Sequence, residues 1–117
     1  MERSGADWRT PETMDLMATI VRLDDPDEAA RFFRDLCTLG ELHDLAQRWA
    51  VVRLLDAGLH YGEISRRTGA STATITRIAS WLHHGEGGYR AMLERAPAVS
   101  GHGAPTAAVA APRAGAR

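Results

Sequence analysis

The sequence has no lysine, a single cysteine, almost no net charge and no long apolar run. With only Cys37, an intrachain disulfide and a thiolate metal cluster are both excluded. No apolar stretch approaches the ~20 residues of a membrane span. The opening MERSGADWRT lacks the apolar centre of a secretory signal. A cytoplasmic chain that does not associate with membranes is therefore expected. The GEGG stretch, Gly85 to Gly88, has neither the spacing nor the lysine of a phosphate-binding loop. The absence of lysine fits GC-rich coding as well as any physical need and is given no functional weight.

What remains is ordinary globular composition, 44% hydrophobic and 25% charged, in 117 residues, enough for one domain. The net charge of −1 hides an uneven distribution. Residues 1–42 carry ten acids against five arginines. Residues 43–84 carry Arg48, Arg53, Arg66, Arg67 and Arg77 against Asp44, Asp56 and Glu63, and residues 85–117 carry four arginines against two glutamates. A local basic surface on the second half is compatible with a weakly acidic whole.

Every periodic segment reads as helix. Residues 1–11 lack periodicity and are expected to form a flexible arm. ETMDLMATIVRL places Met14, Met17, Ile20 and Val21 at helical spacing. Asp25, Pro26 and Glu28 form a helix-start signal ahead of Ala29, Phe32, Phe33 and Leu36. Thr38 and Glu41 repeat that signal before a longer helix that Gly58 can close. On it, Leu42, Leu45, Ala46, Trp49 and Val52 make one apolar stripe, and Val51, Leu54 and Leu55 a second. A helix apolar over so much of its circumference needs cover on two sides, and a chain with few helices finds that cover in a second subunit. Residues 12–95 are thus expected to form one helical domain with a dimerisation surface. Residues 96–117, rich in Ala, Gly and Pro with almost no large apolar side chain, are expected to be a disordered tail.

The stretch RRTGASTATITRIASWLHHG is unusual in its threonine content. HYGEISRRTG reads as a short helix anchored by Ile64 and ended by Gly69, and Ser71 then caps a helix running to about His84. Ile75, Ile78, Ala79 and Leu82 fall within about 100° of arc and form its inward stripe. The opposite face carries Ala73, Arg77, Ser80 and His84, with Thr76 beside them and Thr74 and Trp81 on the flanks. A solvated face would favour Glu and Gln, the better helix formers. Short side chains instead allow close approach to a major groove. Threonine offers it a hydroxyl and a methyl, and arginine grips guanine or phosphate. The start of this helix at Thr72 also turns unpaired backbone N–H groups toward phosphate. With Arg66 and Arg67 on the preceding helix and a tight TGAS joint, the pair has the form of a helix-turn-helix. The expected DNA-binding residues are Arg66, Arg67, Ser71, Thr72, Ala73, Thr74, Thr76, Arg77 and Ser80. The same hairpin could instead dock a protein partner, the alternative reading of a helical interaction adaptor.

The segment GASTATITR strongly resembles the helix-turn-helix of the Trp repressor superfamily, above all its YerC/YecD-like branch. The resemblance extends through FFRDLCTLGELHDLAQRWAVVRLLDAGLHYGEIS upstream and HHGEGGYRAML downstream, about residues 28–93 in all. It implies an all-α, intertwined helical homodimer with a helix-turn-helix that binds double-stranded DNA and regulates transcription, repression being the expected mode. Thr72, Ala73 and Thr76 match positions that face bases in the Trp repressor. Arg48, across a one-residue gap, and Arg77 match the two arginines that enclose tryptophan there, a candidate effector pocket. The position after Arg77 is small in tryptophan-binding members but is Ile78 here, with Trp81 three residues on. Tryptophan is therefore not expected as corepressor, and no cofactor or small-molecule effector is expected.

Other clusters have structural explanations. His83 and His84 point about 100° apart on a helix, and no cysteine cluster supports zinc. Asp24, Asp25, Asp27 and Glu28 are better explained by helix capping than by a metal. Cys37 follows the Phe32, Phe33 and Leu36 stripe as a small apolar filler. No acid, base and nucleophile constellation is present, so no enzyme is expected.

Overall fold

Six helices succeed one another in a computed structural model that describes residues 7–99, with no strand among them. Most of the expected tail, and most of the expected N-terminal arm, lie outside the described residues. None of the helices is long and apolar enough to cross a membrane. The chain divides between Leu45 and Ala46 into two units, and the division falls inside the third helix.

The first unit holds α1 (Pro11–Ile20), α2 (Pro26–Leu36) and the beginning of α3 (Leu39–Asp56). Local chemistry sets each helix start. Pro11 occupies the first turn of α1 behind Thr10, whose hydroxyl accepts from the Thr13 N–H at 3.1 Å. Asp25 Oδ1 accepts from the N–H groups of Asp27 and Glu28 at 2.8 and 3.1 Å. Glu28 reaches back to the Asp24 N–H at 3.3 Å, one residue beyond the reciprocal partner that the spacing suggests. At α3 the box is complete. Glu41 N–H donates to Thr38 Oγ1 at 3.1 Å, and Thr38 N–H donates to Glu41 Oε1 at 2.9 Å.

No described residue of this unit is buried. Phe32 and Phe33 meet edge to face at 5.6 Å, yet Leu36 is 48% exposed and Leu39 65%. Met14, Met17, Val21 and Leu45 are exposed as well. The sequence pattern places Leu45 in an apolar stripe, and in the isolated chain that part of the stripe is open to solvent.

The second unit holds the rest of α3, then α4 (Tyr61–Thr68), α5 (Thr72–His84) and α6 (Gly88–Arg95). Its core is Val51, Val52 and Leu54 of α3, Ile64 of α4, Ala70 in the joint, and Ile75, Ile78 and Leu82 of α5. Trp49, Leu55, Leu59, Trp81, Tyr89 and Leu93 are partly buried against it. Trp81 thus packs inward rather than joining the outer face. Gly85 ends α5 where a side chain is impossible, because a Cβ would lie 2.5 Å from the Trp81 carbonyl oxygen. After α6 the chain runs back toward α3: Arg53 donates to the Pro97 carbonyl, and Val99 reaches the core.

Candidate nucleic-acid interface

The helix pair depends on the joint between α4 and α5. Gly69 ends α4 with φ +79°, a left-handed conformation that costs glycine little, and its N–H donates to the Ser65 carbonyl at 2.8 Å. Thr68 stitches the turn: its hydroxyl donates to the Ile64 carbonyl at 2.8 Å and accepts from the Ala70 N–H at 3.1 Å. Gln47 of α3 donates to the Thr68 carbonyl at 3.1 Å, tying the joint to the longer helix. Ala70, only 2% exposed, is the hydrophobic plug between the two helices. The joint is therefore held by buried packing and by three side-chain hydrogen bonds, and its backbone has little freedom.

From this joint α5 starts with Ser71 as N-cap, its hydroxyl oxygen accepting from the Thr74 N–H at 3.1 Å. Ile75, Ile78 and Leu82 are buried, as the inward stripe requires, and Ala79 is half-buried. Opposite them, Ser71, Thr72, Ala73, Thr76, Arg77 and Ser80 are exposed. Thr74, also read from the sequence as an outer residue, is half-buried. Its hydroxyl oxygen accepts from the Ser71 hydroxyl at 3.1 Å and from Arg77 Nη2 at 3.2 Å. Arg77 is thereby folded back along its own helix. No carboxylate lies on α5, whose charged or chargeable groups are Arg77 and, in the last turn, His83 and His84.

Arg66 and Arg67 differ from each other. The Arg66 side chain is 69% exposed and that of Arg67 only 21%. Both converge on one oxygen, Glu63 Oε2, Arg66 through Nη2 at 2.5 Å and Arg67 through Nε at 2.8 Å. These hydrogen bonds, that of Arg66 foremost, hold the Glu63 carboxyl below the usual carboxylate range. The signal for this pairing in the sequence is the i,i+3 and i,i+4 spacing of Glu63 with Arg66 and Arg67, which helical periodicity of apolar residues does not register.

The other singled-out groups lie elsewhere. Arg48 is exposed on α3. Ile78 is 1% exposed, so its side chain fills interior space directly after Arg77. His83 Nδ1 is 3.3 Å from Arg90 Nη2. Asp24, Asp25 and Glu28 do place carboxylate oxygens within 4.8 Å of one another. Two of them already serve the backbone N–H groups at the start of α2, which explains the cluster structurally.

A short two-helix joint, a capped second helix with an exposed small-residue face and an all-helical scaffold define a protein of the helix-turn-helix class. The match to a family model is direct: the Trp repressor protein model covers residues 12–97, and the chain belongs to the Trp repressor family. It is 45% identical to the uncharacterised protein YerC of Bacillus subtilis (strain 168) over 87 residues, 74% of this chain and 84% of YerC. Among solved structures it is similar to a TrpR-like protein from Eubacterium eligens ATCC 27750, with a TM-score of 0.71 and 41% identity over 74% of this chain and 90% of that one. A Trp repressor candidate from Staphylococcus aureus has the same TM-score at 37% identity, over 74% of this chain and 87% of that one. The resemblance read from GASTATITR and its flanks, and the all-α fold it implied, both stand.

Proposed function

We propose that the chain is a sequence-specific DNA-binding regulator of transcription, a repressor in its expected mode, and that it acts as a homodimer. The observation that carries this reading is the outer face of α5. It is exposed, short-sided and free of carboxylates, and it follows a rigid joint in a chain of the Trp repressor family. Such a face approaches base edges closely, and Arg77 is its one long donor. Phosphate contacts come from Arg66 and from the start of α5, whose unpaired N–H groups suit an anion. A two-fold assembly would present two copies of α5 about 34 Å apart, one turn of duplex.

Gel-shift titration against a site selected from random duplex, and against an unrelated duplex, tests this. Arg77→Ala is expected to weaken binding to the selected site by about 1–3 kcal/mol while leaving unrelated duplex nearly unaffected. Arg66→Ala is expected to weaken both alike, and Arg67→Ala to do the same, because it removes a positive charge and leaves the Glu63 carboxylate to Arg66 alone. Unchanged affinity in all three variants would remove the surface.

The reading includes no tryptophan corepressor and no enzymatic step. What supports the first of these is the position after Arg77, small in tryptophan-binding members, which here is the bulky, buried Ile78 of the core. Free tryptophan at physiological concentration is expected to give no saturable heat in calorimetry and no shift in DNA affinity. A saturable isotherm together with tighter DNA binding would reverse that conclusion.

A further inference from the structure

Between Tyr61 and His84, the span of the helix pair, there is one carboxylate, Glu63, against three arginines. A surface selected only for phosphate affinity has no use for a negative charge beside its arginines. This carboxylate is not idle. A single oxygen, Oε2, takes Arg66 Nη2 at 2.5 Å and Arg67 Nε at 2.8 Å. The two arginines are on successive positions of α4, and Glu63 precedes them by three and four, so one turn of helix presents all three groups on one side.

We propose that Glu63 is an attenuating residue of the DNA-binding surface: by engaging both arginines at once, it withholds one unit of positive charge from phosphate. The proposal rests on the DNA-binding reading above. The two guanidinium groups have different parts in it. Arg67, with a side chain 21% exposed, is the inner partner that fixes the carboxylate in place. Arg66, 69% exposed, is the outer partner that a phosphate can take over. While Arg66 Nη2 stays on Glu63 the charge it offers a phosphate is partly neutralised, and the carboxylate stands close to any anion that the remaining donors of Arg66 reach. Both effects oppose binding to duplex of any sequence, so the residue sets the strength and salt dependence of the grip. It leaves base discrimination to α5. The carboxyl is held below its usual range, so it remains charged throughout the neutral range and the attenuation is always present there.

The experiment compares the wild-type chain with Glu63→Gln, Glu63→Asp and Asp15→Asn by fluorescence anisotropy on selected and unrelated duplexes from about 50 to about 300 mM salt. Asp15→Asn makes the same charge change on α1, in the first unit. Glu63→Gln is expected to tighten binding to both duplexes several-fold at the low-salt end. It should also steepen the plot of log K against log salt by about 0.9, one added phosphate contact. Discrimination between the duplexes should not change. Glu63→Asp, which keeps the charge but shortens its reach, is expected to fall between wild type and Glu63→Gln. Far-ultraviolet circular dichroism identifies any variant that fails to fold, and the aspartate variant then carries the test. A Glu63→Gln slope equal to that of wild type, or a change matched by Asp15→Asn, would overturn the proposal while leaving the DNA-binding reading in place. Absence of salt-dependent duplex binding by the wild type itself would overturn that reading, and the proposal with it.

Discussion

Ile75→Ala is expected to destabilise the protein by about 3 kcal/mol, within the ~2–5 kcal/mol range of large-to-small core truncations. Ile75 is 0% exposed and belongs to a core that, among the described residues, has eight buried side chains from α3, α4, the joint and α5. In so small a core, removing three carbons takes away transfer free energy and leaves a cavity that neighbours cannot close. Ile64, Ile78, Val51 and Val52 are all β-branched and stiff at χ1. A domain of this size is stable by roughly 5–15 kcal/mol, so the loss is a large share of the whole. In thermal melts it corresponds to a fall of roughly 15 °C, taking about 4–8 °C per kcal/mol for a domain under ~100 residues. Thr76→Ala, next in sequence but exposed, is expected to stay within about 0.5 kcal/mol of wild type. Circular dichroism melts at one fixed protein concentration measure both. Equal melting temperatures for the two variants would mean that α5 does not present Ile75 to the core. Its outer face would then be assigned to the wrong side as well.

That coupling of inner and outer faces explains why α5 was legible in the sequence. Ser71 as cap and the spacing of Ile75, Ile78 and Leu82 are local signals, and each corresponds to a feature of the structure. The starts of α2 and α3 were legible for the same reason, because capping chemistry acts over three residues. What periodicity did not reveal depends on side-chain choice rather than on helical phase. The wheel places Thr74 on a flank of the outer face. Its bonds to Ser71 and Arg77 depend on rotamers. Arg66 and Arg67 read as two free cations until their geometry around Glu63 is known. Composition made the chain after Pro97 look featureless, because a carbonyl held by Arg53 and a lone Val99 against the core leave no pattern to count. The resemblance through GASTATITR supplied the family, and physics alone had supplied only a helical hairpin with an unusual outer face.

The apolar pattern of the first 45 residues is the strongest sequence signal that the isolated chain leaves unused. Leu39 and Leu45 lie six residues apart on α3, 65% and 42% exposed. Met14, Met17, Val21 and Leu36 are also open to water. Covering a large apolar side chain stabilises by about 1.5–3 kcal/mol, so several together can support a stable association. The homodimer reading therefore makes a prediction opposite to that of the single chain. For a monomer, Leu39→Glu and Leu45→Glu exchange exposed apolar groups for charges on a helix surface, changes expected to lie within about 0.5 kcal/mol. For a dimer that buries these positions, each carboxylate is trapped without a partner at a cost of several kcal/mol. Each variant is accordingly expected to sediment at the mass of one chain where wild type sediments at two, and to lose most of its affinity for a two-half-site duplex while retaining weak salt-sensitive binding. Analytical ultracentrifugation at micromolar concentration decides the point. A wild-type protein of single-chain mass, or variants that remain paired, would leave the exposed face of the first unit to some other partner.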